Sequence, residues 1–144
     1  AYENDEVPVG AVIVQRRNSE VLAAFSNQMR AQTSAIAHAE ILAIQKATDV
    51  LRNERLVGCD MYVSLEPCPM CAHAISLARL DTLYFAAEDK KSGGVLNGPK
   101  IFDSSSCHHK PKIQFGFLEK ESSELLKSFF KSKRKNKLQI KHSQ

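Results

Sequence analysis

The sequence predicts an α/β fold, a three-layer sandwich with helices on both faces of a five-stranded mixed sheet. Two observations carry this. Short apolar runs alternate with longer stretches of helical periodicity along the chain. No repeat, linker or break in composition divides the 144 residues, so residues 1–144 are expected to form one domain.

The elements follow in order. Residues 7–15 are nearly all apolar, with Pro8 near their start, and suit a buried strand. Arg16-Arg17-Asn18-Ser19 is a polar turn, and residues 20–25 read as the antiparallel partner. After a polar connection over 26–35, Ile41, Leu42, Ile44 and Ala47 mark a helix over 37–50. Residues 61–65 form a short strand stopped by Pro67. Pro69 suits the first turn of the next helix, over 69–80, where its missing N–H costs nothing. Residues 82–87 are a strand, 88–111 mostly loop with Gly93, Gly94 and Gly98, and 113–117 a last short strand. Residues 119–137 read as a helix, acidic first and basic last, with Leu125, Leu126, Phe129 and Phe130 on one face.

Composition sets bounds on function. The hydrophobic fraction of 43% and charged fraction of 25% are ordinary for a globular protein. No apolar run approaches the roughly 20 residues that cross a bilayer, and the acidic start is unlike a secretion signal. A cytoplasmic protein with no membrane partner is expected. Ala1 is not an initiator methionine, so the chain is expected to begin inside a longer gene product. The net charge of +4 becomes −3 without seven cations, Lys127, Lys131, Lys133, Arg134, Lys135, Lys137 and Lys141. A like-charged run is usually a solvated helix end; the alternative is a phosphate-contacting tail.

The chemistry concentrates in His38-Ala39-Glu40 and Pro67-Cys68-Pro69-Met70-Cys71. One imidazole and two thiolates give zinc three protein ligands and leave a fourth position open, as catalytic rather than structural sites do. Both halves fall at predicted helix N-termini, where free N–H groups and the helix dipole favour thiolates. Helices starting from one sheet edge bring the halves together. His38, Cys68 and Cys71 are thus the expected ligands of one Zn2+, and Glu40 the proton carrier beside it. His73, two residues past Cys71, points away from it on a helix and reads as packed or surface. Cys107-His108-His109 has no further ligand nearby, and Cys59 reads as inert.

His-x-Glu followed by Pro-Cys-x-x-Cys is the signature of zinc nucleobase deaminases, so the reaction comes from that match and not from spacing. More closely, the chain resembles bacterial tRNA-specific adenosine deaminases, members of the cytidine-deaminase-like superfamily. Glu6-Val7-Pro8-Val9-Gly10-Ala11 is similar to the family's first strand, and Leu65-Glu66-Pro67-Cys68-Pro69-Met70-Cys71-Ala72 to its cysteine motif. Asn27 stands at the distance before His38 of the family's base-binding asparagine. Asp89, Lys91 and Gly93 resemble a loop motif after the fourth strand. Leu125-Leu126, Phe129-Phe130 and the following cations resemble an RNA-contacting helix. Two departures stand out. Ser34-Ala35-Ile36 replaces the usual Asp-Pro-Thr, and a helix expected ahead of the first strand is reduced to a few residues or absent from the chain.

The resemblance implies a cytidine-deaminase-like fold and hydrolysis of adenosine to inosine at the wobble position of a tRNA anticodon loop, by a homodimer. It implies substrate contacts from Asn27, from the backbone N–H groups of Ala39 and Cys68, and from Asp89, His109, Phe129, Lys131, Lys133 and Arg134. Two other readings compete. One is a deaminase of free bases or nucleotides, of guanine or cytosine type. The other is a non-catalytic zinc-binding scaffold for RNA, which would have no use for Glu40.

Overall fold

The structure, a computed structural model, describes residues 9–116. Five strands form one mixed sheet: β1 (Gly10–Gln15), β2 (Glu20–Ser26), β3 (Cys59–Leu65), β4 (Thr82–Ala87) and β5 (Lys112–Phe115). Their order is β2-β1-β3-β4-β5. β1 pairs antiparallel with both β2 and β3, whereas β3/β4 and β4/β5 are parallel. β2 and β3 therefore run in the same direction on either side of β1. Each leads into a helix, α1 (Ala39–Leu51) and α2 (Pro69–Leu77), so both helices start from one edge of the sheet. That edge carries the chemistry.

Register explains which face holds the core. Ala11 pairs with Val63 and Ile13 with Met61, while Val63 pairs with Phe85 and Met61 with Leu83. Because side chains alternate along a strand, these six share one face. They pack in one cluster with Ala39, Ala43 and Ala47 of α1 and Ala72 and Ile75 of α2. Alanine at every fourth position of α1 lets that helix lie close to the sheet. Ile13, Met61 and Leu83 are fully buried, each worth about 1.5–3 kcal/mol of transfer free energy. The opposite face carries Val12 and the stacked rings of Tyr62 and Tyr84, 4.4 Å apart and 7° from parallel.

The five strands and mixed pairing are as expected. Both described helices lie on one face, and the helix expected over 119–137 lies outside the described residues. Several boundaries shift, three of them with a clear local cause. β3 starts at Cys59, because Gln15 and Thr82 on its neighbours pair with Cys59 and Asp60. α1 starts at Ala39, since His38 is extended (φ −72°, ψ 149°) and caps the helix. α2 ends at Leu77. Arg79 there takes a left-handed conformation (φ 60°) and donates to Ser76 O, while Leu80 donates to Ile75 O. Within the long loop after β4, Ile101–Asp103 form one 3-10 turn.

Candidate active site

His38 and Cys68 occupy equivalent positions, the N-caps of α1 and α2. Neither side chain caps its own helix by a hydrogen bond, so both are free to point at a third party. Cys71 is the third residue of α2 and fully buried. His38 Nδ1 lies 3.7 Å from Cys68 Sγ and 3.6 Å from Cys71 Sγ. Bond lengths of about 2.1 Å to nitrogen and 2.3 Å to sulfur put the N···S edge of a zinc tetrahedron at about 3.6 Å. The three donors thus stand at the spacing one zinc ion requires, and they are the one such cluster among the described residues. His73, His108, Cys59 and Cys107 lie outside it.

The two thiols are coupled by a hydrogen bond. A hydrogen bond with Cys71 holds the Cys68 thiol down to about 5 against the effect of burial, and the same bond, with burial added, drives Cys71 upward. A cation placed between them would displace the proton of that bond.

Glu40 sits in the first turn of α1, only 3% exposed. Burial raises its carboxyl above the ordinary range, against the helix backbone and the neighbouring Cys71. Its Oε1 is buried without a hydrogen-bond partner. An unpartnered buried carboxylate oxygen is costly unless a ligand completes it. The donor set and this orphaned oxygen together fit zinc with a reactant beside it.

Asn27 is also buried, and its Oδ1 accepts the N–H of Ala39 at 2.8 Å. That satisfies one of the orphan donors of α1. The Ala39 N–H expected to orient a base is therefore already engaged within the chain. The amide nitrogen of Asn27 keeps no protein partner among the described residues.

Asp89 shapes its own loop: Oδ1 accepts Lys91 N–H and Ser92 N–H, and its carbonyl accepts Gly93 N–H. His109 is tied to the end of α2. Its Nε2 is 2.6 Å from Leu80 O, and its carbonyl accepts from Ser76 Oγ. Leu80 lies past the far end of nine-residue α2, about 13 Å along the axis from Cys68. His109 thus fastens the loop to the end of α2. Phe129, Lys131, Lys133 and Arg134 lie outside the described residues.

Sequence reasoning gave no role to Glu66. It is 3% exposed and accepts five hydrogen bonds from the loop after β4. Burial acts to raise its carboxyl, but these donors outweigh it and the net shift is downward. Its partners lie 23 to 31 residues away and are mostly backbone, so no local pattern signals them.

Comparison with known proteins agrees with this geometry. Residues 1–134 match the MafB19-like deaminase family. A tRNA-specific adenosine deaminase of Agrobacterium fabrum is 48% identical over 134 residues, covering 93% of this chain and 87% of the relative. The chain belongs to the tRNA-specific adenosine deaminase family. A solved structure from a study of A-to-I editing by tRNA:A34 deaminases superposes with a TM-score of 0.77 at 47% identity, covering 81% of this chain and 88% of that one. A guanine deaminase from Bacillus subtilis shares the fold at greater distance, with a TM-score of 0.56 and 31% identity, covering 88% of this chain and 79% of the other. Membership places the chain among cytidine-deaminase-like folds.

Proposed function

We propose that this protein hydrolyses adenosine to inosine at the wobble position of a tRNA anticodon loop. The observation that carries the reading is the His38–Cys68–Cys71 cluster with the orphaned Glu40 Oε1 beside it, in a chain 48% identical to a tRNA-specific adenosine deaminase. His38, Cys68 and Cys71 would hold the metal, and zinc there would lower the pKa of a water toward 7. Glu40 would take one proton from the water as its oxygen adds to C6 of the purine and pass it to N1, then take the second from the new C6 hydroxyl and pass it to the amine, which leaves as ammonia as the C6 carbonyl forms. Burial, which raises the Glu40 carboxyl above the ordinary carboxylate range, favours its taking up a proton. Asn27 fixes the helix carrying Glu40 and offers its free amide nitrogen to the base.

The target nucleotide is splayed out of its loop to reach the centre. Lys131, Lys133 and Arg134 are assigned to the RNA backbone, and Phe129 to stacking on an unpaired base. The protein acts as a cytoplasmic homodimer; Met70 and Leu77, seven residues apart on α2 and 37% and 65% exposed, offer apolar surface for a second copy. No described helix is long and apolar enough to cross a membrane.

Incubation with a wobble-adenosine stem-loop and, separately, with free guanine, cytosine and adenine tests the reading. Inosine in the RNA is the expected result. Turnover of free bases alone contradicts it.

A further inference from the structure

Glu66 takes no part in the chemistry above, yet it accepts more hydrogen bonds than any other carboxylate among the described residues. Oε2 receives the N–H groups of Val95, Leu96 and Asn97 at 3.0, 3.0 and 3.2 Å. Oε1 receives Asp89 N–H at 3.1 Å and Asn97 Nδ2 at 2.8 Å. Three successive backbone N–H groups turned toward one oxygen form an anion-binding nest, here filled by the protein's own side chain. A neutral amide could not replace it, since its NH2 would face donors.

Two glycines bring this loop onto the cysteine motif. A Cβ at Gly93 would stand 2.3 Å from Glu66 Oε2; one at Gly94 would stand 2.5 Å from Pro69 N and 2.9 Å from Cys68 C. Gly94 also donates to Pro67 O at 2.8 Å. The loop therefore lies directly on the backbone that carries Cys68. Its outer side exposes Lys90, Lys91 and Leu96.

We propose that Glu66 is a positioning residue for RNA. By gathering five donors from residues 89–97, it holds that segment against the Cys68 turn, so that Lys90 and Lys91 meet backbone phosphates flanking the target nucleotide. The inference rests on the tRNA reading above. It differs from a purely structural role in one respect: the folded, metal-loaded protein should bind RNA less well while its chemistry stays intact.

The test uses Glu66→Gln, Glu66→Asp and Gly93→Ala, the last pressing a methyl group on the same contact from the loop side. We expect Glu66→Gln to keep one zinc per chain, to raise KM for an anticodon stem-loop about tenfold and to hold kcat within about threefold. Amide exchange over residues 89–97 should quicken about tenfold. Glu66→Asp, which keeps the charge, should recover part of both. Gly93→Ala should reproduce the KM effect, and the double variant with Glu66→Gln should be no worse than either single one, because both break one contact. A folded Glu66→Gln protein with wild-type KM and wild-type exchange would overturn the inference. So would a loss confined to kcat. Should the wild type make no inosine, the tRNA reading fails instead, and exchange over 89–97 still decides whether Glu66 holds the loop.

Discussion

Asn27 Oδ1 accepts the N–H of Ala39 across twelve residues, tying the end of β2 to the start of the helix that presents His38 and Glu40. The residue expected to touch the base thus also holds the catalytic helix in place. Its side-chain oxygen is thereby committed to the chain.

Asn27→Ala should therefore destabilise the ligand-free protein. Ala39 is fully buried, so its N–H would be left unpaired at a cost of about 1–3 kcal/mol. Urea unfolding without substrate measures this. Stability equal to wild type would return Asn27 to a purely base-binding role.

Zinc loading should release about one proton per site near pH 7.5. Cys68, held down to about 5, is already a thiolate there, whereas Cys71 still carries its proton. Titration calorimetry in buffers of different ionisation enthalpy counts the protons. Release of two would show that the thiols ionise independently.

Asp60 gives a pH prediction at the opposite sheet edge. It is 4% exposed, and Oδ1 has no hydrogen bond, only Arg16 Nη1 at 3.9 Å, while that arginine bonds Asp81. Burial raises its carboxyl above the usual 3.8, with Arg16 opposing. The folded state then binds the proton more tightly than the unfolded one. Stability from this group is greatest at acid pH and falls as pH climbs from about 3.8 through the raised folded value. Asp60→Asn should remove that decline and stabilise the protein by about 1 kcal/mol at pH 7.5. Melting curves at pH 4 and pH 7.5 compare the two; a variant less stable at pH 7.5 would show that the ion pair outweighs desolvation.

The basic stretch after Phe130 is tested by salt. Replacing Lys131, Lys133 and Arg134 with Ala should reduce the slope of log affinity against log salt for a stem-loop by about 2, at roughly 0.7 per phosphate contact. An unchanged slope would mark these residues as a solvated helix end.

Much of this was legible in the sequence because local chemistry announced it. Pro69 signalled the start of α2 correctly, and the histidine and cysteines stand together as their spacing implied. Helix ends were less legible. α1 and α2 both stop with an arginine in the left-handed conformation, Arg52 at φ 51° and Arg79 at φ 60°, where glycine is the usual signal. The anchoring of His109 was not legible, because its partner is the Leu80 carbonyl, 29 residues away. Glu66 stayed silent for the same reason, since a nest of backbone donors leaves no side-chain pattern.

In the proposed mechanism Glu40 moves the protons beside a zinc held by His38, Cys68 and Cys71. Glu40→Gln tests it most directly, with bound zinc and inosine formation in a wobble-adenosine stem-loop measured on one sample. We expect one zinc per chain and a rate about 1,000-fold below wild type, within the usual contribution of general acid–base catalysis. Full zinc with turnover close to wild type would contradict it.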